Sequence, residues 1–183
     1  MEIRLAAELQ PDSIVDGEGI RTVIWTQGCP HGCKGCHNPS THAFDGGALV
    51  SVDEIIEELK QLKGQDGITL SGGDPVCQSG ACIEICKAAH ELGMNVWCYT
   101  GFTYEVMLRN PKHKALLEHI DVLVDGKFIL EEKSYDLYFR GSKNQRIIDV
   151  KRSLEEDRVV LVEKYIEEKD YSSSYKKPEY MFI

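Results

Sequence analysis

Three cysteines fall within eight residues in the stretch GCPHGCKGC (28–36), at Cys29, Cys33 and Cys36. This C-x3-C-x2-C spacing constrains the chain more than any other feature. Three thiols so close in sequence reach one centre only if the backbone curls tightly. Gly28, Gly32 and Gly35 permit the unusual dihedrals such a curl needs. Soft thiolates select iron–sulfur clusters, zinc or Cu(I). Four readings stand at this point. One is a [4Fe-4S] cluster held by three cysteines, with one iron left open. A second is structural zinc, with His31 or His37 as fourth ligand. A third is haem attachment at Cys33-Lys34-Gly35-Cys36-His37, which spells C-x-x-C-H. The fourth is a triplet that binds no metal.

The rest of the composition narrows the setting. A chain of 183 residues suits one domain, and 42% hydrophobic residues suffice for a core. The N-terminus carries acids and no continuous apolar segment, so no secretory signal is read there. No apolar run approaches the roughly 20 residues a membrane helix needs. The expected location is the cytoplasm, where thiols stay reduced. There the seven cysteines read as ligands, reactive groups or core residues rather than disulfides. Asp plus Glu number 30 against 21 Lys plus Arg, a net charge of −9. That balance opposes a nucleic-acid-binding role, whose footprint is a basic face. Cys82 and Cys86 lie four apart on one helical face beside Ile85 and Ala89, as core residues do. Cys98 sits mid-strand, and an auxiliary cluster built from these and Cys77 is not expected.

Strand and helix patterns alternate along the chain. RTVIWTQ (21–27), GITL (67–70), NVWCYT (95–100) and DVLV (121–124) read as strands. QRIIDV (145–150) and RVVLVEKY (158–165) are further candidates. SVDEIIEELKQL (51–62) reads as a helix opened by a Ser51–Glu54 capping box, with Ile55, Ile56, Leu59 and Leu62 on one face. Residues 79–92 form a second helix ended by Gly93, and a third starts at 103–109. This order favours βαβ units and a parallel sheet. The Gly-rich segments follow the predicted strands, at the edge where parallel sheets build their sites. SGGDP (71–75) is one of them. It lacks the Gly-Lys-Ser/Thr ending of a P-loop, so nucleotide hydrolysis is unsupported.

The triplet spacing is also the hallmark of the radical S-adenosylmethionine (SAM) superfamily. The stretch DGEGIRTVIWTQGCPHGCKGCHNP (16–39) resembles the start of the glycyl-radical-enzyme activases, and SGGDP is similar to their SAM-binding motif. WCYTGFTYE (97–105), VDGKF (124–128) and FRGSKNQRIIDV (139–150) resemble the branch that activates anaerobic ribonucleotide reductase. Most of the superfamily has an aromatic residue before the third cysteine. This chain has Gly35, which that branch tolerates.

The resemblance implies an α/β fold, an incomplete (βα) barrel of five to six mainly parallel strands over residues 1–162, with a cluster loop at 28–42. A charged Tyr/Ser-rich tail follows at 163–183, and its last residues, Met181, Phe182 and Ile183, are candidates to dock on the body. Cys29, Cys33 and Cys36 become ligands of a [4Fe-4S] cluster. SAM is expected against the backbone of Gly35, Cys36 and His37, against Gly72, Gly73 and Asp74, and beside Thr100, Asp125 and Lys127. Asp16, Gly17, Gly19 and Arg21 are expected to shape the cluster loop, with Arg21 as partner of an acid. The implied partners are a glycyl-radical enzyme, anaerobic ribonucleotide reductase before pyruvate formate-lyase, and an electron donor such as flavodoxin or ferredoxin. A zinc-stabilised binding module without catalysis is the rival of a different class.

Overall fold

The computed structural model describes residues 1–166. Its centre is four parallel strands in the order β3 (Arg21–Thr26), β5 (Gly67–Gly72), β6 (Asn95–Tyr99) and β7 (Val122–Asp125). These are the four apolar runs read from the sequence, and their side chains are nearly all buried. Antiparallel strands extend the sheet on both sides. β1 (Glu2–Leu5) and β2 (Gln10–Ser13) share the outer edge of β3, β4 (Ala48–Ser51) pairs with β1, and β8 (Arg146–Asp149) pairs with β7. The sheet therefore has eight strands, four of them parallel, not the expected five to six mainly parallel ones. The additional strands are four residues long and mostly exposed or half-buried. Of these, β8 falls within the predicted run QRIIDV (145–150), whereas β2 reads QPDS and carries no strand pattern.

Helices α1 (Val52–Gln61), α2 (Ser79–Glu91), α3 (Tyr104–Arg109), α4 (Pro111–Leu117) and α5 (Val150–Glu155) connect or follow the strands. Ser51 caps α1 as predicted, but its hydroxyl accepts the Asp53 N–H at 3.2 Å rather than that of Glu54. Gly93, at φ +77°, ends α2.

Alternation along β6 separates two faces. Val96 and Cys98 join the main core with Ile24, Leu70, Ile85, Leu116 and Leu123, while Trp97 belongs to a smaller cluster with Val124, Ile147 and Tyr165. Cys82 and Cys86 are fully buried in the main core, as expected, whereas Cys77 is exposed. Burial pushes the thiols of Cys82, Cys86 and Cys98 well above their ordinary range, so they sit in the core as neutral groups.

The Trp97 face is closed below and open above. Arg21 is fully buried there. Its guanidinium donates to Thr69 Oγ1 and to the carbonyls of Glu18, Ile68 and Asn95, and lies 5.5 Å from the Trp97 ring centroid. These partners are neutral, so Arg21 plugs the foot of the sheet instead of pairing with an acid. Burial lowers its pKa only to about 10, which leaves it charged at neutral pH. Gly17 packs on Trp97 and Gly19 on Asp66, so both shape this plug rather than the cluster loop.

The run 158–165 is not a strand. It contributes an isolated bridge between Leu161 and Ile148, then a 3-10 turn at Glu163–Tyr165. That turn packs on the body: Tyr165 is buried, and its hydroxyl and Lys164 both bond Glu18. Residues 167–183, including Met181, Phe182 and Ile183, lie outside the described residues. Among the described residues no helix is long and apolar enough to cross a membrane.

Candidate functional site

The open end of the Trp97 face is a cavity of about 440 Å³ at the C-terminal ends of the parallel strands. Cys29, Cys33 and Cys36 line it from the loop after β3. Ser71, Gly72 and Gly73 line it from the end of β5, Tyr99, Thr100 and Gly101 from β6, and Gly126 and Phe128 from β7. Trp25, Ser71 and Tyr99 occupy the alternation positions above Arg21, Thr69 and Trp97. The same face that is plugged at its foot is thus a lined cavity at its top.

Main-chain hydrogen bonds hold the cluster loop. Gly28 N–H donates to Thr41 O at 2.8 Å and Cys29 N–H to His42 O at 3.0 Å, which closes the loop at its base. Cys36 N–H donates to Cys33 O at 3.2 Å, the tight turn between the last two thiols. Gly28, Gly32 and Gly35 take φ of +98°, +59° and +73°, so the curl foreseen from these glycines is present. The end of β5 docks on this loop. Gly73 N–H donates to Thr26 O and Asp74 N–H to Gly28 O.

Three thiols lining one cavity suit a cluster, in which each thiolate takes its own iron. Among the described residues no three Cys, His, Asp or Glu side chains are grouped to share a single metal ion; a cluster does not ask for that. Burial raises the pKa of the Cys29 thiol, and Asp74 adds to the rise. A bound metal reverses that balance by holding the thiolate.

The remaining expected site residues divide. Thr100, Gly72 and Gly73 line the cavity, as does His37, whose ring lies 4.9 Å from that of Phe128. Gly35 does not line it; a Cβ there would meet Leu130. Asp74 does not line it either. It is fully buried, and its carboxylate accepts from Val76 N–H, Gly101 N–H, the Thr100 hydroxyl and His31. All its lone-pair directions are engaged by the protein, so this side chain is turned into the protein rather than toward the cavity. Asp125 and Lys127 belong to a neighbouring cavity that shares His31, Gly101 and Gly126 with the first. There Asp125 is buried against Arg146, at 2.9 and 2.5 Å, and accepts the Tyr104 N–H at 2.8 Å. Lys127 is exposed. The resemblance placed both beside SAM but carried no sign of the guanidinium that claims Asp125.

Asp16, one of the residues expected beside the cluster loop, lines the cavity, and Tyr99, Trp25, Phe128 and Phe139 are cavity residues the sequence reading missed. Tyr99 was within reach of it, because alternation from Trp97 puts it on the cavity face. Phe139 arrives on the long β7–β8 connection, held by a hydrogen bond from the Tyr99 hydroxyl to its carbonyl, and no periodicity signals that.

Arg146 also binds Glu105, with two bonds of 2.9 Å. This hydrogen bonding holds the Glu105 carboxyl at about 2, below its ordinary 4.5. A depressed carboxyl contributes stability that is present above the ordinary value and lost as pH falls through the folded one. The variant Glu105→Gln is expected to unfold at lower urea than the parent at pH 7, with the gap narrowing below 4.5 and mostly closed by pH 2. The pair is half-exposed, so the pH 7 gap should be about 1 kcal/mol or less. A gap that stays constant across this range would remove the ion pair as its cause.

Sheet, loop and thiol-lined cavity define an α/β iron–sulfur protein, and the 4Fe-4S single cluster domain family matches residues 15–148. Full-length relatives narrow this further. The anaerobic ribonucleoside-triphosphate reductase-activating protein of Haemophilus influenzae is 36% identical over 147 residues, covering 75% of this chain and 92% of its own. Those of Vibrio cholerae and Escherichia coli K12 are 37% and 35% identical, at 75% and 74% of this chain and 92% of theirs. The chain belongs to the family of anaerobic ribonucleoside-triphosphate reductase-activating proteins. Among solved structures, QueE from Escherichia coli aligns with a TM-score of 0.49 at 13% identity, over 68% of this chain and 71% of that one.

Proposed function

We propose that this chain is a cytoplasmic activating enzyme that cleaves SAM reductively and installs a glycyl radical on anaerobic ribonucleotide reductase. The observation that carries the reading is that Cys29, Cys33 and Cys36 line one cavity together with the Gly72–Gly73 edge of β5. Three cysteine ligands leave one iron of a [4Fe-4S] cluster without a protein ligand, the vacancy an amino acid's amine and carboxylate can chelate. Held by Cys29, Cys33 and Cys36, such a cluster would supply the single-electron reduction that cleaves SAM to methionine and leads to loss of a hydrogen atom from a glycine Cα of the reductase.

The protein's own part is placement and shelter. Cys29, Cys33 and Cys36 are ligands, not nucleophiles. Gly72 and Gly73 offer main-chain groups to the methionine end of SAM, and their lack of a Cβ lets this edge dock against the backbone of Thr26, Gly28 and Thr41. Tyr99 and Thr100 form the wall beside it, and the backbone of Cys36 and His37 borders the adenine. Trp25, Phe128 and Phe139 supply apolar surface that keeps water from a reactive radical. Lys127, in the adjoining cavity, serves the ribose or carboxylate of SAM. A small electron donor such as flavodoxin or ferredoxin completes the system.

The test is anaerobic reconstitution with iron and sulfide, then reduction with SAM and the reductase present. Methionine and 5′-deoxyadenosine in equal amounts, with a glycyl signal by electron paramagnetic resonance (EPR) on the reductase, are expected. A signal on pyruvate formate-lyase alone would move the assignment to another activase. A colourless protein with one zinc and no iron would replace it with a binding module.

A further inference from the structure

We propose that His31 and Asp74 are a positioning pair that sets Cys29 in register with the cavity wall. The inference rests on the reading of Cys29, Cys33 and Cys36 as cluster ligands. His31 is the middle residue of the spacer between the first two thiols. Its side chain is 6% exposed and that of Asp74 is 0%, and His31 Nε2 lies 2.6 Å from Asp74 Oδ2. The other donors to this carboxylate are main-chain N–H groups and a hydroxyl, so it acts as an acceptor and the imidazole Nε2–H donates.

Asp74 holds the loop on both sides of Cys29. Its main-chain N–H donates to Gly28 O at 2.8 Å, just before the cysteine, and its carboxylate takes His31, two residues after it. The same carboxylate accepts the Thr100 hydroxyl at 2.9 Å and Gly101 N–H at 3.0 Å. One residue therefore ties the first ligand to the ends of β5 and β6. The space is built for the ring. A Cβ on Gly101 would stand 2.6 Å from His31 Nε2, and Phe102 meets the ring edge-on at 4.5 Å. Displacement of Cys29 then displaces Gly73 and Thr100 too, so cluster position and SAM position are coupled through this pair.

Two variants separate the hydrogen bond from the packing. His31→Phe keeps a ring against Phe102 and loses the donor. His31→Gln loses the ring and keeps an N–H at the reach of Nε2. In the metal-free protein, alkylation of Cys29, followed by mass spectrometry, is expected to run about tenfold faster in His31→Phe and close to the parent rate in His31→Gln, since one charged hydrogen bond is at stake. In the reconstituted protein, His31→Phe is expected to retain iron, to bind SAM about tenfold more weakly, and to show a diminished change in the EPR spectrum of the reduced cluster when SAM is added. The double variant His31→Phe/Asp74→Asn should be no worse than Asp74→Asn alone. Parent-like behaviour of His31→Phe with impairment of His31→Gln would overturn the proposal in favour of ring packing. Equal Cys29 rates in all forms would overturn it outright. A parent that takes up no iron would instead defeat the cluster reading, and the alkylation rates would still decide the role of the pair.

Discussion

Replacing Cys29, Cys33 or Cys36 by alanine, one at a time, is expected to lower iron after reconstitution from about four atoms per chain to near zero. Formation of 5′-deoxyadenosine should vanish with it. The effect is all-or-none because a cube held at two corners exposes a second iron to solvent and chelators. The remaining four cysteines provide the control. Cys82, Cys86 and Cys98 are buried with their thiols neutral, and none lines the cavity with the triplet. Cys82→Ala or Cys98→Ala is expected to keep its iron and lose about 1–2 kcal/mol of stability, the cost of a small core void. Iron quantification and urea unfolding on the same preparations separate the two outcomes. Retained SAM cleavage in any triplet variant would refute the ligand assignment. Lost iron in Cys98→Ala with stability intact would reopen an auxiliary cluster.

The triplet was legible in the sequence because its meaning is local. Spacing, glycines and thiol chemistry all lie within the span from Gly28 to Cys36. The four parallel strands were legible for a related reason: strands buried on both faces must be apolar along their length, and Arg21–Thr26 or Gly67–Leu70 announce that. Edge strands need no such pattern, so Gln10–Ser13 passed unseen. RVVLVEKY misled in the other direction, since β-branched residues fit any half-buried surface and this run pairs through one bridge. Asp74 shows the deeper limit. Its neighbours Gly72 and Gly73 read as a ligand-facing turn, and so did the acid beside them. What encloses the carboxylate comes from His31, Val76, Thr100 and Gly101, and only the folded chain brings those together. Asp125 is the same case, claimed by Arg146 from 21 positions away.

Gly73→Val carries the second large expected effect, and it reaches beyond the proposed SAM pocket. A glycine that served only to make room for SAM would, on gaining a Cβ, weaken SAM binding and leave the cluster loop untouched. The structure argues otherwise. A Cβ built on Gly73 collides with the Gly28 carbonyl and lies 2.8 Å from the Thr41 carbonyl. Both are main-chain atoms, and the Gly28 carbonyl also accepts the Asp74 N–H. Neither yields as a flexible side chain does, so the cluster loop must lift from the end of β5. The expected result is a loss of at least half the bound iron together with SAM affinity, and a stability cost of about 2–4 kcal/mol from overpacking a backbone contact. Gly73→Ala should show a smaller version of the same pattern. Gly32→Ala calibrates it: no atom lies within 4 Å of the added Cβ, and only the φ of +59° opposes it. That substitution should cost about 1 kcal/mol and keep its iron. Iron content, SAM binding by equilibrium dialysis and urea midpoints on the three variants decide the matter. A Gly73→Val protein with full iron and weakened SAM would restore the narrower role for this glycine. Joint loss would show that the close approach of β5 to the loop holds the ligands in place, and that ligand pocket and cluster cradle share one piece of backbone.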